Sequence, residues 1–111
     1  MQYLLLIYEN EQRFASGYDE KEMAEYFAFG KQFAKNIKGG NALQPTGTAT
    51  TVRVRDGKRT LTDGPFAETK EQLGGFYLVE ADDLNGAVAL AEKIPGARFG
   101  SIEVRPIMTF S

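Results

Sequence analysis

Histidine and cysteine are both missing from this chain. Without histidine, the commonest general base at neutral pH and the commonest metal ligand are gone. Ser-His-Asp and Cys-His catalysis cannot be assembled within the chain. Without cysteine there is neither a disulfide nor a thiolate metal site, which agrees with an expected cytoplasmic location. The carboxylates have no compact ligand spacing, so no metal and no cofactor are expected. Charge of one sign is also scarce. The net charge of −2 gives no reason to expect nucleic acid or an anionic membrane as partner. Long apolar runs are lacking too. The apolar run near the start, Leu4 to Ile7, is flanked by Tyr3 and Tyr8 and preceded by no basic segment. It is far too short to cross a bilayer and reads as a buried strand.

What is present is globular. Hydrophobic residues make up 42% and charged residues 25% of 111 positions, values of a single folded domain spanning residues 1–111. Such a chain buries about 60–70% of its unfolded surface. Tyr3 to Tyr8 is continuously apolar or aromatic, the mark of a strand covered on both faces. Asp19 reads as a helix N-cap, with Glu22 completing a capping box. Met23, Phe27, Ala34 and Ile37 fall at helical spacing, widened by Tyr26 and Phe33. Gly39-Gly40 reads as the helix stop, and Ala42 to Thr48 as a connection. Val52 and Val54 alternate with Arg53 and Arg55. Asp56-Gly57 predicts a type I′ hairpin returning through Lys58 to Thr62. The basic residues of this hairpin have no aromatics between them, so they read as a solvated face that discourages edge pairing.

Phe76 to Ala81 is again apolar on both faces. Asp82 or Asp83 caps a second helix with Leu84, Ala87, Val88, Ala91 and Ile94 as its expected buried stripe, ended by Pro95-Gly96. Ser101 to Ile107 is the last strand, and Pro106 suits an edge position or the strand's end. The order strand, helix, hairpin, strand, helix, strand predicts an α+β fold with a split βαβ, ferredoxin-like plan and an antiparallel sheet. Two helices cover one face of such a sheet. The doubly apolar strands then need a second copy on the other face, so a homodimer is expected.

Asp63 to Tyr77, DGPFAETKEQLGGFY, is the run that no ordinary helix or strand pattern explains. It supplies carboxylates at Asp63, Glu68 and Glu71 and a cation at Lys70. Phe66, Tyr8 and Tyr77 are candidate apolar walls, and Gly64 and Pro65 shape the turn. Read as a pocket, this set binds an unknown small molecule. Asp63 is then the candidate general base, with Lys70 or a tyrosine hydroxyl stabilising developing negative charge. Read as structure, Asp63 bonds backbone N–H groups in an Asx-turn. Glu68, Lys70 and Glu71 then form exposed pairs worth under about 1 kcal/mol.

The segment TDGPFAETKEQLGGFYLVEADDL, the later GSIEVRPI, the opening MQYLLLIY and the central ATTVRVRDG together resemble the DGPF subgroup of the YCII-related domain family. The resemblance covers nearly the whole chain. It implies a dimeric α+β barrel built from ferredoxin-like subunits. Broader members of the family are suggested to be enzymes with a His–Asp pair, which this chain lacks. Relatives in the DGPF subgroup are associated with sigma factors, which leaves a regulatory interaction module open beside the small-molecule reading. A structural dimer module without catalysis is the third class.

Overall fold

The computed structural model describes residues 1–110. Strand β1 (Gln2–Glu9) opens the chain. Its odd-numbered residues Tyr3, Leu5, Ile7 and Glu9 are buried, while Leu4, Leu6 and Tyr8 are half-buried on the other face. This is the period-two alternation of a strand expressed through an unbroken apolar sequence. A short 3-10 turn (Glu11–Phe14) leads to helix α1 (Glu20–Gln32). The Asp19 carboxylate caps α1 by accepting from the Lys21 N–H at 2.9 Å. Strand β2 (Ile37–Ala42) follows, then the hairpin of β3 (Thr50–Arg55) and β4 (Lys58–Asp63). Asp56 and Gly57 take φ of 54° and 74° in its turn, as a two-residue type I′ connection requires. Strand β5 (Gln72–Glu80), helix α2 (Leu84–Ala91) and strand β6 (Ser101–Pro106) complete the order. Asp83 caps α2, its Oδ1 accepting from the Gly86 N–H at 2.8 Å.

The main sheet is antiparallel throughout, in the order β2-β5-β1-β6. That is the ferredoxin-like order, with the two doubly apolar strands β1 and β5 in the centre as their sequences demand. Both helices pack on one face. Leu5, Val79 and Ile94, all essentially inaccessible, sit at the middle of this layer with Phe29, Ala87 and Leu90. Full burial of a side chain such as Leu5 stabilises the fold by about 1.5–3 kcal/mol. The other face carries half-buried Leu4, Leu6, Phe76 and Leu78, paired across β1 and β5, while both helices pack on the opposite side.

Three expectations are corrected. First, α1 ends at Gln32, and Ile37 to Ala42 is an edge strand hydrogen-bonded to β5. Two adjacent glycines that read as a helix stop instead sit inside that strand. Second, the hairpin does not belong to the main sheet: β3 and β4 pair only with each other. Third, the helix stripes are rotated. Glu22, Tyr26, Phe29 and Phe33 face inward on α1, whereas Met23 and Phe27 are 47% and 72% exposed. Ala34 lies beyond the helix and is exposed. On α2, Leu84 and Val88 face outward and Leu90 joins Ala87 and Ala91 inside. Glu22 closes no capping box, because its carboxylate turns to Arg13.

Candidate functional site

Asp63 is the last residue of β4, opposite Thr50 at the root of the hairpin. Gly64 follows with φ of 97°, a left-handed turn that a side-chain-bearing residue adopts only under strain. Its N–H donates to the Ala49 carbonyl at 2.7 Å, and its own carbonyl accepts from the Thr51 hydroxyl at 2.8 Å. The turn is therefore pinned by backbone groups and by Thr51. The Asp63 carboxylate takes no hydrogen-bond partner among the described residues. Asp63, Glu68 and Lys70 are exposed, Phe66 is 78% exposed, and Pro65 is half-buried.

The far end of the same stretch behaves differently. Thr69 donates from its hydroxyl to the Glu71 carbonyl, and the Gln72 amide donates to the Thr69 carbonyl. These bonds turn Glu71 toward β6, where its Oε1 accepts from the Ser101 hydroxyl at 2.7 Å. One register step away, the Tyr8 hydroxyl donates to Glu103 Oε1 at 3.2 Å. Ser101 lies opposite Tyr8 and Glu103 opposite Leu6. Paired residues of antiparallel strands share a face. Tyr8, Ser101 and Glu103 thus stand on the open face, beside Leu6 and Phe76. Burial, and then Glu103, push the Tyr8 phenol above its ordinary value, so it remains a protonated donor at neutral pH. Tyr77 pairs with Leu5 on the helix side and packs on Phe29 with ring centroids 5.2 Å apart. Tyr8 and Tyr77 therefore do not line one wall.

A second polar group, not anticipated from the sequence, lies across the sheet. Arg13, on the 3-10 turn after β1, donates to Glu9 and to Glu22, each at 2.8 Å. Its guanidinium stacks on the Phe99 ring at 3.9 Å. Both carboxylates are about 6% exposed, and Oε1 of each has no protein partner among the described residues. Two buried acids face one guanidinium, and burial pushes Glu9 above the usual carboxylate range. The Tyr26 hydroxyl accepts from the Gly96 N–H at 3.2 Å, and burial followed by Glu9 pushes its phenol far above the ordinary value. The available signal was Glu9 ending an apolar strand and Glu22 at a helix position where the inward stripe begins. A hydrophobicity pattern discounts both.

A family model for the YCII-related domain matches residues 1–111. The chain belongs to the YCII-related domain family. Among curated proteins, an uncharacterised protein of Rhizobium meliloti (strain 1021) is 37% identical over 117 residues, covering 99% of this chain and 94% of that protein. Among solved structures, the 5-chloro-2-hydroxyhydroquinone dehydrochlorinase of Burkholderia phenoliruptrix AC1100, in complex with 2,5-dihydroxybenzoquinone, is similar with a TM-score of 0.59. The alignment covers 97% of this chain and 94% of that one at 16% identity, which establishes a shared fold. In this YCII-related chain two grooves lie on the helical side, away from the Asp63–Lys70 loop. One of about 440 Å³ runs between Phe33, Glu80 and Lys93, and one of about 280 Å³ between Glu25, Phe29 and Arg98. Among the described residues, no three carboxylates gather into a metal-sized group, and no helix is long and apolar enough to cross a membrane.

Proposed function

We propose that this YCII-related protein, read as a member of the DGPF subgroup, is a homodimeric α+β barrel that binds and transforms a small molecule. Its site is the open sheet face where Tyr8, Glu71, Ser101 and Glu103 meet, beside the Asp63–Tyr77 stretch. The observation that carries the reading is this convergence of two hydrogen-bonded pairs over an apolar floor. Leu6 and Phe76 supply the floor, Tyr8 a donor and Glu103 an acceptor. An apolar wall with a few convergent polar groups is the usual anatomy of a small-ligand site. The second copy, seated on the apolar face, closes the open side.

The chemistry that suits these groups is proton transfer. Ligand entry opens the Tyr8–Glu103 bond: the Glu103 carboxylate then accepts a ligand hydroxyl proton, and the freed Tyr8 hydroxyl donates to an oxygen gaining negative charge. The quinone bound by the dehydrochlorinase supports an oxygen-rich ring as ligand class. Thermal shift with hydroxylated benzoquinones and hydroquinones tests the reading, since a specific ligand raises Tm according to its concentration over Kd. Tyr8→Phe is expected to weaken binding about tenfold, the loss of one hydrogen bond near 1.4 kcal/mol. Asp63→Asn is expected to keep the fold, and loss of binding in that variant would add the loop carboxylate to the site. The reading fails if none of these compounds shifts Tm, or if Tyr8→Phe binds them like the wild type.

A further inference from the structure

Hairpin β3–β4 is a projecting arm with two unlike faces. Val52 pairs with Leu61 and Val54 with Arg59 on one side, while Arg53 pairs with Thr60 and Arg55 with Lys58 on the other. The apolar side is uncovered: Val52, Val54 and Leu61 are 57%, 60% and 58% exposed. A lone two-stranded hairpin is marginally stable in water, yet this one has a firm root. Glu11 holds Thr46 through its N–H at 2.8 Å and its hydroxyl at 2.6 Å, and the Gly64 bonds to Ala49 and Thr51 close the base. The arm is thus aimed while its apolar face is left open. The shape of the chain reflects it. The Cα radius of gyration is 15.9 Å and the extents are 47 × 46 × 19 Å, whereas a compact chain of this length has a radius near 13 Å.

We propose that hairpin β3–β4 is a dimerisation arm whose Val52, Val54 and Leu61 face closes over a second copy of this chain. The proposal rests on the homodimeric reading above and names what completes that dimer. Area decides the occupant. Four strands about 4.8 Å apart and about seven residues long present a projected plane of about 450 Å², while a stable interface takes about 800 Å² from each partner. One face of a two-stranded arm of six-residue strands adds about 200 Å². Seated on the partner beyond the rim of the sheet-to-sheet contact, the two reciprocal arms together bring each copy to about the required area.

The test uses the whole chain at tens of micromolar, with mass read by light scattering coupled to gel filtration. The expected result is a dimer for the wild type and for Thr60→Lys, which places a charge on the solvated face. The double variant Val52→Lys, Leu61→Lys is expected to dissociate at least tenfold more readily while keeping its circular dichroism. A dimer of unchanged affinity in that variant overturns the arm and leaves the sheet-to-sheet dimer standing. A wild-type monomer overturns both. A second measurement is independent of that variant's folding. The chain has no native cysteine, so a spin label on Val54→Cys is unique. Mixed with isotope-labelled wild type, it is expected to broaden signals from residues of the partner copy. Mixed dimers without such broadening overturn the proposal.

Discussion

At the scale of single residues, Glu9 is a carboxylate that burial pushes upward. It is buried, shares Arg13 with Glu22, and stands near Glu71, so its charged form is disfavoured in the folded chain. A folded-state value raised above the ordinary 4.5 contributes stability in full below that value. The contribution is lost as pH rises through the raised value. Wild-type stability relative to Glu9→Gln is therefore expected to fall as pH rises from about 4.5 toward neutrality. Urea unfolding of both proteins across this window checks it, and a flat difference would contradict the burial argument. Glu25 works in the opposite sense. Hydrogen bonds from Arg98 hold its carboxyl below the usual range, so its contribution is present above that range and fades on acidification. Being exposed, that pair is screened by salt. Gly100 shows how tightly this corner is built. A Cβ there would run into the Tyr8 carbonyl oxygen and the Glu9 stem.

At the scale of elements, α1 tests which periodicity governs. Two apolar stripes compete on this helix, one through Met23 and Phe27, the other through Tyr26, Phe29 and Phe33. The second wins because Glu22 at its head finds Arg13, and because Phe29 packs on both Phe33 and Tyr77. Phe29→Ala is expected to cost about 3–5 kcal/mol, the range for a buried aromatic. Phe27→Ala is expected to stay within about 0.5 kcal/mol, as an exposed position does. Chemical denaturation of the two variants decides between the stripes, and equal losses would mean that Phe27 is covered in solution. The strand β2 shows the converse lesson. Isolated, Ile37-Lys38-Gly39-Gly40-Asn41-Ala42 has poor strand propensity, yet pairing with β5 recruits it as an edge.

At the scale of the whole molecule, the asymmetry of the sheet governs. Helices cover one face, and the other shows half-buried Leu4, Leu6, Phe76 and Leu78. Leu6→Glu places a charge on that open face, where the chain alone can solvate it. The variant is expected to fold with a loss of about 1 kcal/mol or less, while the proposed dimer is expected to dissociate at least a hundredfold more readily, since a charge buried without a partner costs several kcal/mol. Sedimentation over a concentration series reads this directly. A variant that stays dimeric would move the interface off the sheet.

The sequence by itself determined the fold class, because periodicity and turn chemistry are local. The double-sided apolar runs of β1 and β5 read as strands covered on both faces, Asp56-Gly57 as a tight hairpin, Asp19 and one of Asp82 or Asp83 as caps, and Pro106 as an edge position or a strand's end. It also singled out the Asp63–Tyr77 stretch and, through it, the family. What tertiary structure alone decided were relations between distant positions. The phase of α1 depended on an Arg13–Glu22 ion pair, and β2 on the pairing offered by β5. Tyr8 and Tyr77 were sent to opposite faces by strand register. Tyr8 met Glu103, and Glu71 met Ser101, only because β6 lies beside β1. None of these contacts leaves a mark in the local pattern, since each is set by long-range packing and by charges whose burial is tolerable only with a partner at hand.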